Sequence, residues 1–208
     1  MESGDVRIRF LGLREYTDCW EAMKRFTAER ISDTPDEIWL LEHRPVYTQG
    51  LNGKTKHILQ TGAIPVVHSD RGGQATYHGP GQLMFYPLID LKRRNIGVRR
   101  LVTLLESSVI ETLNQYGIES RADPKAPGVY VQSHKIASIG IRIRRGSSYH
   151  GLSLNVDCDL GPFDGINICG FPDLEATRLS DLGGPRMCHE VAVPLVYRFL
   201  NLLDERPL

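Results

Sequence analysis

The sequence predicts an α+β fold in which helices pack on a mixed or antiparallel sheet. Two kinds of hydrophobic periodicity predict it. Near the N-terminus and again over residues 139–156, hydrophobic residues alternate with polar ones, as in half-buried strands. Over residues 15–31 and 98–116 they recur at three- and four-residue intervals, as on one face of a helix. A sheet of such strands with packed helices defines the α+β class.

The first half of the chain contains one predicted helix and several strands. Residues 6–10 alternate between apolar residues and arginine, which predicts a half-buried strand with Phe10 on its apolar side. The helix over residues 15–31 follows, with Thr17 and Asp18 as candidate caps. Further apolar runs predict strands at 37–42, 64–67 and 83–89, and residues 44–62 read as a long connection, either a lid or a solvent loop.

The second half contains two predicted helices and a strand pair. The helix over residues 98–116 ends at Gly117, a residue type favoured just beyond a helix C-terminus. Two strands, 139–143 and 152–156, are predicted to pair antiparallel across residues 145–148. A terminal helix spans 187–204. The inward residues of the two helices are Val98, Leu101, Leu105, Val109, Leu113 and Tyr116 in the first, and Val191, Leu195, Phe199 and Leu202 in the second.

Charge and length set limits on function. The 208 residues suit one domain, which needs neither disulfides nor a structural metal to stabilise it. Lysine plus arginine and aspartate plus glutamate both number 25, so no global field attracts nucleic acid or an anionic membrane. No apolar run has the length of a membrane span. We therefore expect neither nucleic acid nor membrane as a partner.

The cysteines indicate a reducing compartment. Four cysteines are scattered along the chain without a C-x-x-C pair, so neither a zinc site nor a redox motif is predicted. Residues 1–5 lack the charged-then-apolar order of a signal peptide. We expect a cytoplasmic protein with free thiols and no metal.

One glycine-rich polar segment, residues 71–82, lies between two predicted strands. It reads Arg-Gly-Gly-Gln-Ala-Thr-Tyr-His-Gly-Pro-Gly-Gln. Glycine permits positive φ and close approach of another group, and polar loops on a rigid scaffold commonly contact ligands. On spacing alone, a long hairpin loop with left-handed turns is an equal alternative.

Residues 71–82 resemble the signature of the lipoate-protein ligase B family, the octanoyltransferases that begin lipoate assembly. Further segments match the family in the same order and bring the resemblance to nearly the whole chain: 91–99, 126–131, 135–140, 150–156 and 169–170. The resemblance implies the biotin/lipoate-protein-ligase-like fold, with residues 1–208 as a single octanoyltransferase catalytic domain.

Cys169 is the nucleophile that the resemblance implies. On its own, a cysteine between isoleucine and glycine is more often a buried hydrophobe than a nucleophile. In the family, the cysteine at this place carries the acyl group as a thioester. Ile168 stands where the family often has proline, and its free N–H predicts a looser backbone at the nucleophile.

Lys135 is the second catalytic residue that the resemblance implies. A lysine at the edge of an apolar strand usually extends to solvent. The functional alternative is an ammonium beside the Cys169 thiolate, which stabilises the thiolate and then helps to deprotonate the incoming amine. From the residues alone His78 ranks above Lys135 as the base, because Cys–His pairs are common. The resemblance instead assigns His78 to the substrate loop.

Three segments match the substrate-contacting segments of the family. Backbone N–H groups in the second or third of them are candidates for an oxyanion hole. The predicted substrate-binding residues are Arg71, Gly72, Gly73, Gln74, Ala75, Thr76, Tyr77 and His78 in the first segment, Ser138, Ile139 and Gly140 in the second, and Gly151, Leu152 and Ser153 in the third.

A basic run precedes the helix at 98–116. It is either a solvated face or a docking site for an acidic carrier protein. Under the docking hypothesis, reversing Arg93 and Arg94 to glutamate mainly slows carrier association. The run consists of Lys92, Arg93, Arg94, Arg99 and Arg100.

The function implied is transfer of an octanoyl or lipoyl group from acyl carrier protein to one lysine of a lipoyl domain. The implied acceptors are the lipoyl domains of 2-oxoacid dehydrogenase complexes and the glycine cleavage H protein. No cofactor is expected apart from the donor's own phosphopantetheine, which carries the acyl group. The alternative is an ATP-dependent lipoate or biotin ligase of the same fold, whose triple-glycine segment residues 71–74 match imperfectly, because Gln74 stands in place of a third glycine.

Overall fold

A computed structural model describes residues 6–205, so that the signal-peptide prediction at residues 1–5 lies outside the described part. The chain forms ten strands and three α-helices within that range. The strands are β1 (Val6–Arg14), β2 (Asp36–His43), β3 (Val46–Gln49), β4 (Val66–His68), β5 (Ala75–His78), β6 (Gln82–Leu88), β7 (Arg121–Ala122), β8 (Gly128–Val131), β9 (His134–Arg144) and β10 (Ser147–Asn155), and the helices are α1 (Tyr16–Glu29), α2 (Val98–Gln115) and α3 (Cys188–Asp204).

Seven strands form one mixed sheet in the order β1-β2-β6-β10-β9-β8-β7. The β1–β2 pair is parallel and the remaining pairs are antiparallel. Helices α2 and α3 cover one face and α1 covers the other, which confirms the predicted α+β class. Strand β2 is apolar on both faces of the sheet. Ile38 and Leu40 belong to the core under α2 and α3, and Trp39 and Leu41 belong to the core under α1.

Several predicted details of these elements are wrong. Phe10 is 62% exposed, whereas Val6 and Ile8 of the same strand pack against the core under α2 and α3. Helix α1 begins after Glu15 without a side-chain cap, so that Thr17 and Asp18 lie inside it. Val98 is exposed at the start of α2, and Leu203 takes the buried place predicted for Leu202. Gly117 does end α2 with a positive φ of 73°, as predicted.

A second, three-stranded sheet was not predicted. It has the order β4-β3-β5. Strand β4 overlaps the strand predicted at 64–67, whereas β3 and β5 lie within the segments read as connections. All four residues of β3 and all four of β5 are buried. The segment at 44–62 is therefore only in part a connection, and residues 75–78 of the glycine-rich segment are a strand. Strands this short carry too few residues for an alternating pattern to be distinguished from a loop.

The β9–β10 hairpin aligns two of the predicted substrate segments. Arg145 and Gly146 form its two-residue turn, with φ of 51° and 85°, the left-handed conformation that such hairpins need. Because this turn fixes the register, Ser138 lies opposite Ser153 and Gly140 lies opposite Gly151. The antiparallel pairing predicted for these strands is confirmed. The oxyanion hole expected at backbone N–H groups of these two segments stays a prediction.

The basic run is partly structural. Asp36 is 1% exposed, and its carboxylate accepts hydrogen bonds from Arg30 (2.6 Å), Arg93 (2.7 Å) and Arg94 (2.6 Å). These contacts join the end of α1, the start of β2 and the segment after β6. Arg93 and Arg94 therefore hold a buried carboxylate, and a charge reversal at either position does not test carrier docking alone.

We expect Arg94→Glu to lower the free energy of unfolding by about 3 kcal/mol, because it places a second carboxylate beside buried Asp36 and removes one of its partners. Urea denaturation measures this change. The matched control is Arg99→Glu, in the same basic run but exposed at the first turn of α2, where a negative charge suits the helix dipole. Equal stability of the two variants would contradict the structural role of Arg94.

No helix within residues 6–205 combines the length and the apolar character that a membrane span requires.

Candidate active site

Cys169 and Lys135 lie in direct contact. Lys135 is at the start of β9 and only 2% exposed, and its Nζ is 2.9 Å from Sγ of half-buried Cys169. The same Nζ donates to the backbone oxygen of Pro127 at 3.0 Å. Among the partners that these contacts give Lys135 Nζ there is no carboxylate. The two residues that the family resemblance paired are thus brought together, across 34 positions of sequence.

The backbone at Cys169 is strained and firmly held. Its φ of 53° and ψ of 17° are left-handed, a conformation that costs a residue with a Cβ about 1 kcal/mol or more. The turn is closed by Gly170 N–H on Asn167 O (2.9 Å) and by Phe171 N–H on Ile168 O (3.0 Å). The Gln74 side-chain amide also donates to the Cys169 oxygen at 2.9 Å. Ile168 is 2% exposed, so burial of its side chain holds the turn where a proline ring would otherwise do so.

Gly128, the first residue of β8, leaves the space that Lys135 occupies. Its φ is 143°, and a Cβ at this position would lie 2.7 Å from Lys135 Cε and 2.4 Å from the Ala137 oxygen. Glu106 of α2 accepts a hydrogen bond from the Gly128 N–H at 3.1 Å. Burial raises the pKa of Glu106, against the opposing effects of this N–H and of Lys135.

A pocket opens beside Cys169 and runs between the two sheets. All three predicted substrate segments contribute to it, although Gly72 and Tyr77 do not line it. Tyr77 instead packs among Tyr47 and Phe163. The lining residues are Tyr16, Arg71, Gly73, Gln74, Ala75, Thr76, His78, Met84, Tyr86, Ser138, Ile139, Gly140, His150, Gly151, Leu152, Ser153 and Cys169.

Four of these lining residues were missed from the sequence. Tyr16, Met84 and Tyr86 lie within hydrophobic patterns, where a pocket-facing side chain has the same signature as a core one. His150 immediately precedes a predicted substrate segment, and its positive φ of 57° turns its side chain away from the regular strand alternation. In the sequence, the signal for a pocket residue at this position is a polar side chain directly before Gly151.

Arg71 joins β3 to the glycine-rich segment 71–78, and these two parts together are called the pocket roof. Arg71 is buried, and four of its five N–H donors bond to the Thr48 hydroxyl (2.9 Å) and to the backbone oxygens of Thr48 (2.6 Å), Gly72 (2.8 Å) and Gln74 (2.6 Å). It forms no salt bridge with a carboxylate of the described residues. Burial lowers the pKa of Arg71, partly offset by Tyr16 and Cys169.

A cluster of buried aromatic and histidine rings lines another part of the pocket. The Tyr16 ring stacks on His78 (5.9 Å between centroids) and on His150 (6.3 Å). His78 Nδ1 pairs with Gln82 Oε1 at 2.7 Å, and its Nε2 pairs with the Thr48 hydroxyl at 3.3 Å. Since both ring nitrogens have partners and burial keeps the His78 pKa well below its ordinary value, His78 is a neutral pocket residue.

Asp70 holds His150 and two neighbouring aromatic side chains in place. Its carboxylate accepts hydrogen bonds from Trp20 (2.7 Å), His150 (3.0 Å) and the Tyr149 hydroxyl. Burial alone would raise the pKa of Asp70, but these hydrogen bonds hold it well below its ordinary value. Burial also lowers the pKa of His150, against the effect of Asp70.

The buried histidines predict loss of stability in mild acid. Burial lowers the pKa of His43 from 6.5 to about 4. Below pH 6.5 the unfolded chain binds a proton that folded His43 does not bind until about pH 4, so stability falls as the pH falls through this window. His43 alone accounts for about 3 kcal/mol, and His78 and His150 act in the same direction. Urea denaturation from pH 7 to pH 4 measures the slope, which should be shallower in His43→Gln; identical slopes would contradict this account.

The fold is that of the lipoate and biotin protein ligases. The bi-partite lipoate protein ligase from Thermoplasma acidophilum superposes with a TM-score of 0.77, at 16% identity over 99% of this chain and 87% of that one. Biotin protein ligase from Aquifex aeolicus superposes with a TM-score of 0.62, at 17% identity over 95% of this chain and 70% of that one. The predicted biotin/lipoate-protein-ligase-like fold is confirmed.

Sequence comparison identifies the family. Residues 15–199 match the lipoyl protein ligase A/B catalytic domain, and the chain belongs to that family. A relative from Alkalilimnicola ehrlichii, named octanoyltransferase, is 54% identical over 97% of this chain and 94% of its own length. One from Vibrio vulnificus, also named octanoyltransferase, is 56% identical over 94% of this chain and 90% of its own. The resemblance recognised from the sequence is confirmed.

Proposed function

We propose that this chain transfers an octanoyl group from acyl carrier protein to a lysine of a lipoyl domain, through a thioester on Cys169. The observation that carries the proposal is the 2.9 Å contact between Lys135 Nζ and Cys169 Sγ at the mouth of the pocket. A nucleophile held beside a cation, with an apolar-walled cleft next to it, suits acyl transfer. The octanoyltransferase relatives support this reaction over ATP-dependent ligation.

The first step forms the acyl-enzyme. The Cys169 thiolate attacks the thioester carbonyl of the octanoyl group, the new carbon–sulfur bond forms, and the carrier's phosphopantetheine sulfur leaves. That sulfur takes the proton of Lys135 Nζ, so that Lys135 enters the second step as a neutral amine. The Lys135 ammonium is the donor nearest to Sγ, so it stabilises the negative charge on the tetrahedral intermediate. The fifth N–H of Arg71, on Nη1, is a second donor on the pocket wall.

The second step forms the amide. The neutral amine of the lipoyl-domain lysine attacks the thioester carbonyl and loses a proton to Lys135, and the Cys169 thiolate leaves. Lysine suits both steps because it carries a positive charge in one and accepts a proton in the other. Conversion of a thioester into an amide is downhill, so the reaction requires no nucleotide. Two successive half-reactions at one sulfur predict ping-pong kinetics.

The partners in this proposal are those that membership of the family implies. The donor is octanoyl-acyl carrier protein, and the acceptors are lipoyl domains of 2-oxoacid dehydrogenase complexes and the glycine cleavage H protein. The reaction takes place in the cytoplasm, where Cys169 and the other three cysteines stay reduced; all four are free thiols.

The test is to mix the protein with octanoyl-acyl carrier protein and an isolated lipoyl domain, with and without ATP, and to measure the mass of the lipoyl domain. We expect an octanoyl-lysine adduct at the same rate in both mixtures. A strict requirement for ATP, with free octanoate as the better donor, would overturn the proposal in favour of a ligase.

A further inference from the structure

We propose that Met84 sets the length of acyl chain that the enzyme accepts. This inference rests on the proposed function and specifies the substrate of the same pocket. It is carried by the registers of five strands, which place the reacting atoms and Met84 on one line across the seven-stranded sheet.

The line begins at the catalytic pair. Gly128 of β8 lies opposite Ser138 of β9. A Cβ at Gly128 would lie 3.0 Å from Lys135 Nζ, which is itself 2.9 Å from Cys169 Sγ. The thioester sulfur is therefore close to the position at which β8 and β9 pair through Gly128 and Ser138.

The line continues over small residues and ends at large ones. Ser138 pairs with Ser153 of β10, Ser153 pairs with Met84 of β6, and Met84 pairs with Leu41 of β2. Residues paired directly across a sheet point to the same face, so these side chains form a single row. Ser138, Ser153 and Met84 all line the pocket. A chain that extends from Sγ passes over two serines and meets Met84 as the first long side chain.

The spacing matches eight carbons. Neighbouring strands are about 4.8 Å apart, so the sulfur, which lies between β8 and β9, is about 12 Å from β6 across β9 and β10. A fully staggered octanoyl chain is about 9 Å long from its carbonyl carbon to its methyl group, and the carbon–sulfur bond brings this length to about 11 Å from Sγ. Its methyl group therefore reaches the Met84 side chain, and two further carbons require that side chain to move.

Met84 is also backed by rigid neighbours. It is 2% exposed and belongs to the core under α1 with Leu41 and Tyr86. The Tyr86 hydroxyl, beside it on β6, is fixed at 2.8 Å from His43 Nε2. Because the end of the pocket cannot retreat into this core, the size of residue 84 determines the depth.

The test is competition among donors. The enzyme is mixed with equal amounts of hexanoyl-, octanoyl-, decanoyl- and dodecanoyl-acyl carrier protein, and the early ratio of thioester adducts on Cys169 is read by intact mass. The wild type should favour octanoyl. Met84→Ala removes three heavy atoms, and with about a fourfold factor for each of the two further methylenes buried, the decanoyl-to-octanoyl ratio should rise about 15-fold. Ser153→Leu moves the obstruction one strand closer, which is about 4.8 Å or nearly four methylene groups, so hexanoyl, the shortest donor offered, should become the best of the four.

Met23→Ala is the matched control. Met23 is fully buried in the same core but does not line the pocket, so this variant carries a similar packing loss and should keep the wild-type ratio. An unchanged ratio in Met84→Ala, or an equal shift in Met23→Ala, overturns the role of Met84 and leaves the proposed function standing. Absence of any adduct in the wild type overturns both.

Discussion

Replacement of Lys135 by methionine is expected to lower kcat/KM for octanoyl transfer about 1000-fold without unfolding the protein. Lys135 provides the charge beside Sγ in the first step and the proton acceptor in the second, and each such contribution is commonly worth 100-fold or more. Methionine fills nearly the same space, and loss of a buried charge costs little when an apolar side chain replaces it.

Two measurements separate this role from a structural one. Alkylation of Cys169 by iodoacetamide at pH 7 should slow in Lys135→Met, because the variant removes the ammonium that contacts Sγ. Lys125→Met, at an exposed position ten residues earlier, should match the wild type in both assays. A Lys135→Met variant within tenfold of wild-type kcat/KM would contradict the catalytic role.

Arg71→Met is expected to lower the free energy of unfolding by about 4 kcal/mol. The change removes four hydrogen bonds from a buried charged group, three of them to backbone oxygens, of which the Gln74 oxygen keeps the Gly50 N–H as a partner. Urea denaturation measures the loss, and Arg144→Met at an exposed position of β9 is the control. A loss under 1 kcal/mol would contradict the account of Arg71 as the residue that holds the roof, and would leave substrate contact as its main role.

The sequence predicts the elements with long hydrophobic patterns and misses the short ones. Helices α1, α2 and α3 and the β9–β10 pair repeat their pattern over several turns or several alternations, so burial of one face can be recognised. The four-residue strands β3 and β5 have every residue buried, which leaves no alternation to detect. They form the pocket roof, so the architecture around the site was the part least accessible from the sequence.

The site itself depends on contacts that periodicity cannot reveal. Cys169 and Lys135 were identified by family resemblance, whereas the residues alone favoured His78 as the base. The contacts of the two side chains support Lys135 over His78, because His78 has both ring nitrogens occupied and Lys135 is the group that reaches Sγ. That contact needs the space left by Gly128 and the left-handed turn at Cys169, and neither can be read from spacing.

The basic run, residues 92–100, also depends on a contact that the sequence does not reveal. A cluster of like charges in the sequence suggested either solvent or a carrier protein as the partner. Arg93 and Arg94 instead bond to Asp36, which is more than 50 positions away and is itself unremarkable in the sequence. Asp36 can be recognised as a buried carboxylate only once the position of β2 in the sheet is known.

The most direct test is the mass of the acyl-enzyme. The protein is mixed with octanoyl-acyl carrier protein alone, without ATP or acceptor, and its intact mass and its Cys169 peptide are measured. The account predicts one octanoyl group, bound to Cys169, labile to hydroxylamine, absent in Cys169→Ala and lost when a lipoyl domain is added. No adduct, or an adduct that persists in Cys169→Ala, would contradict it.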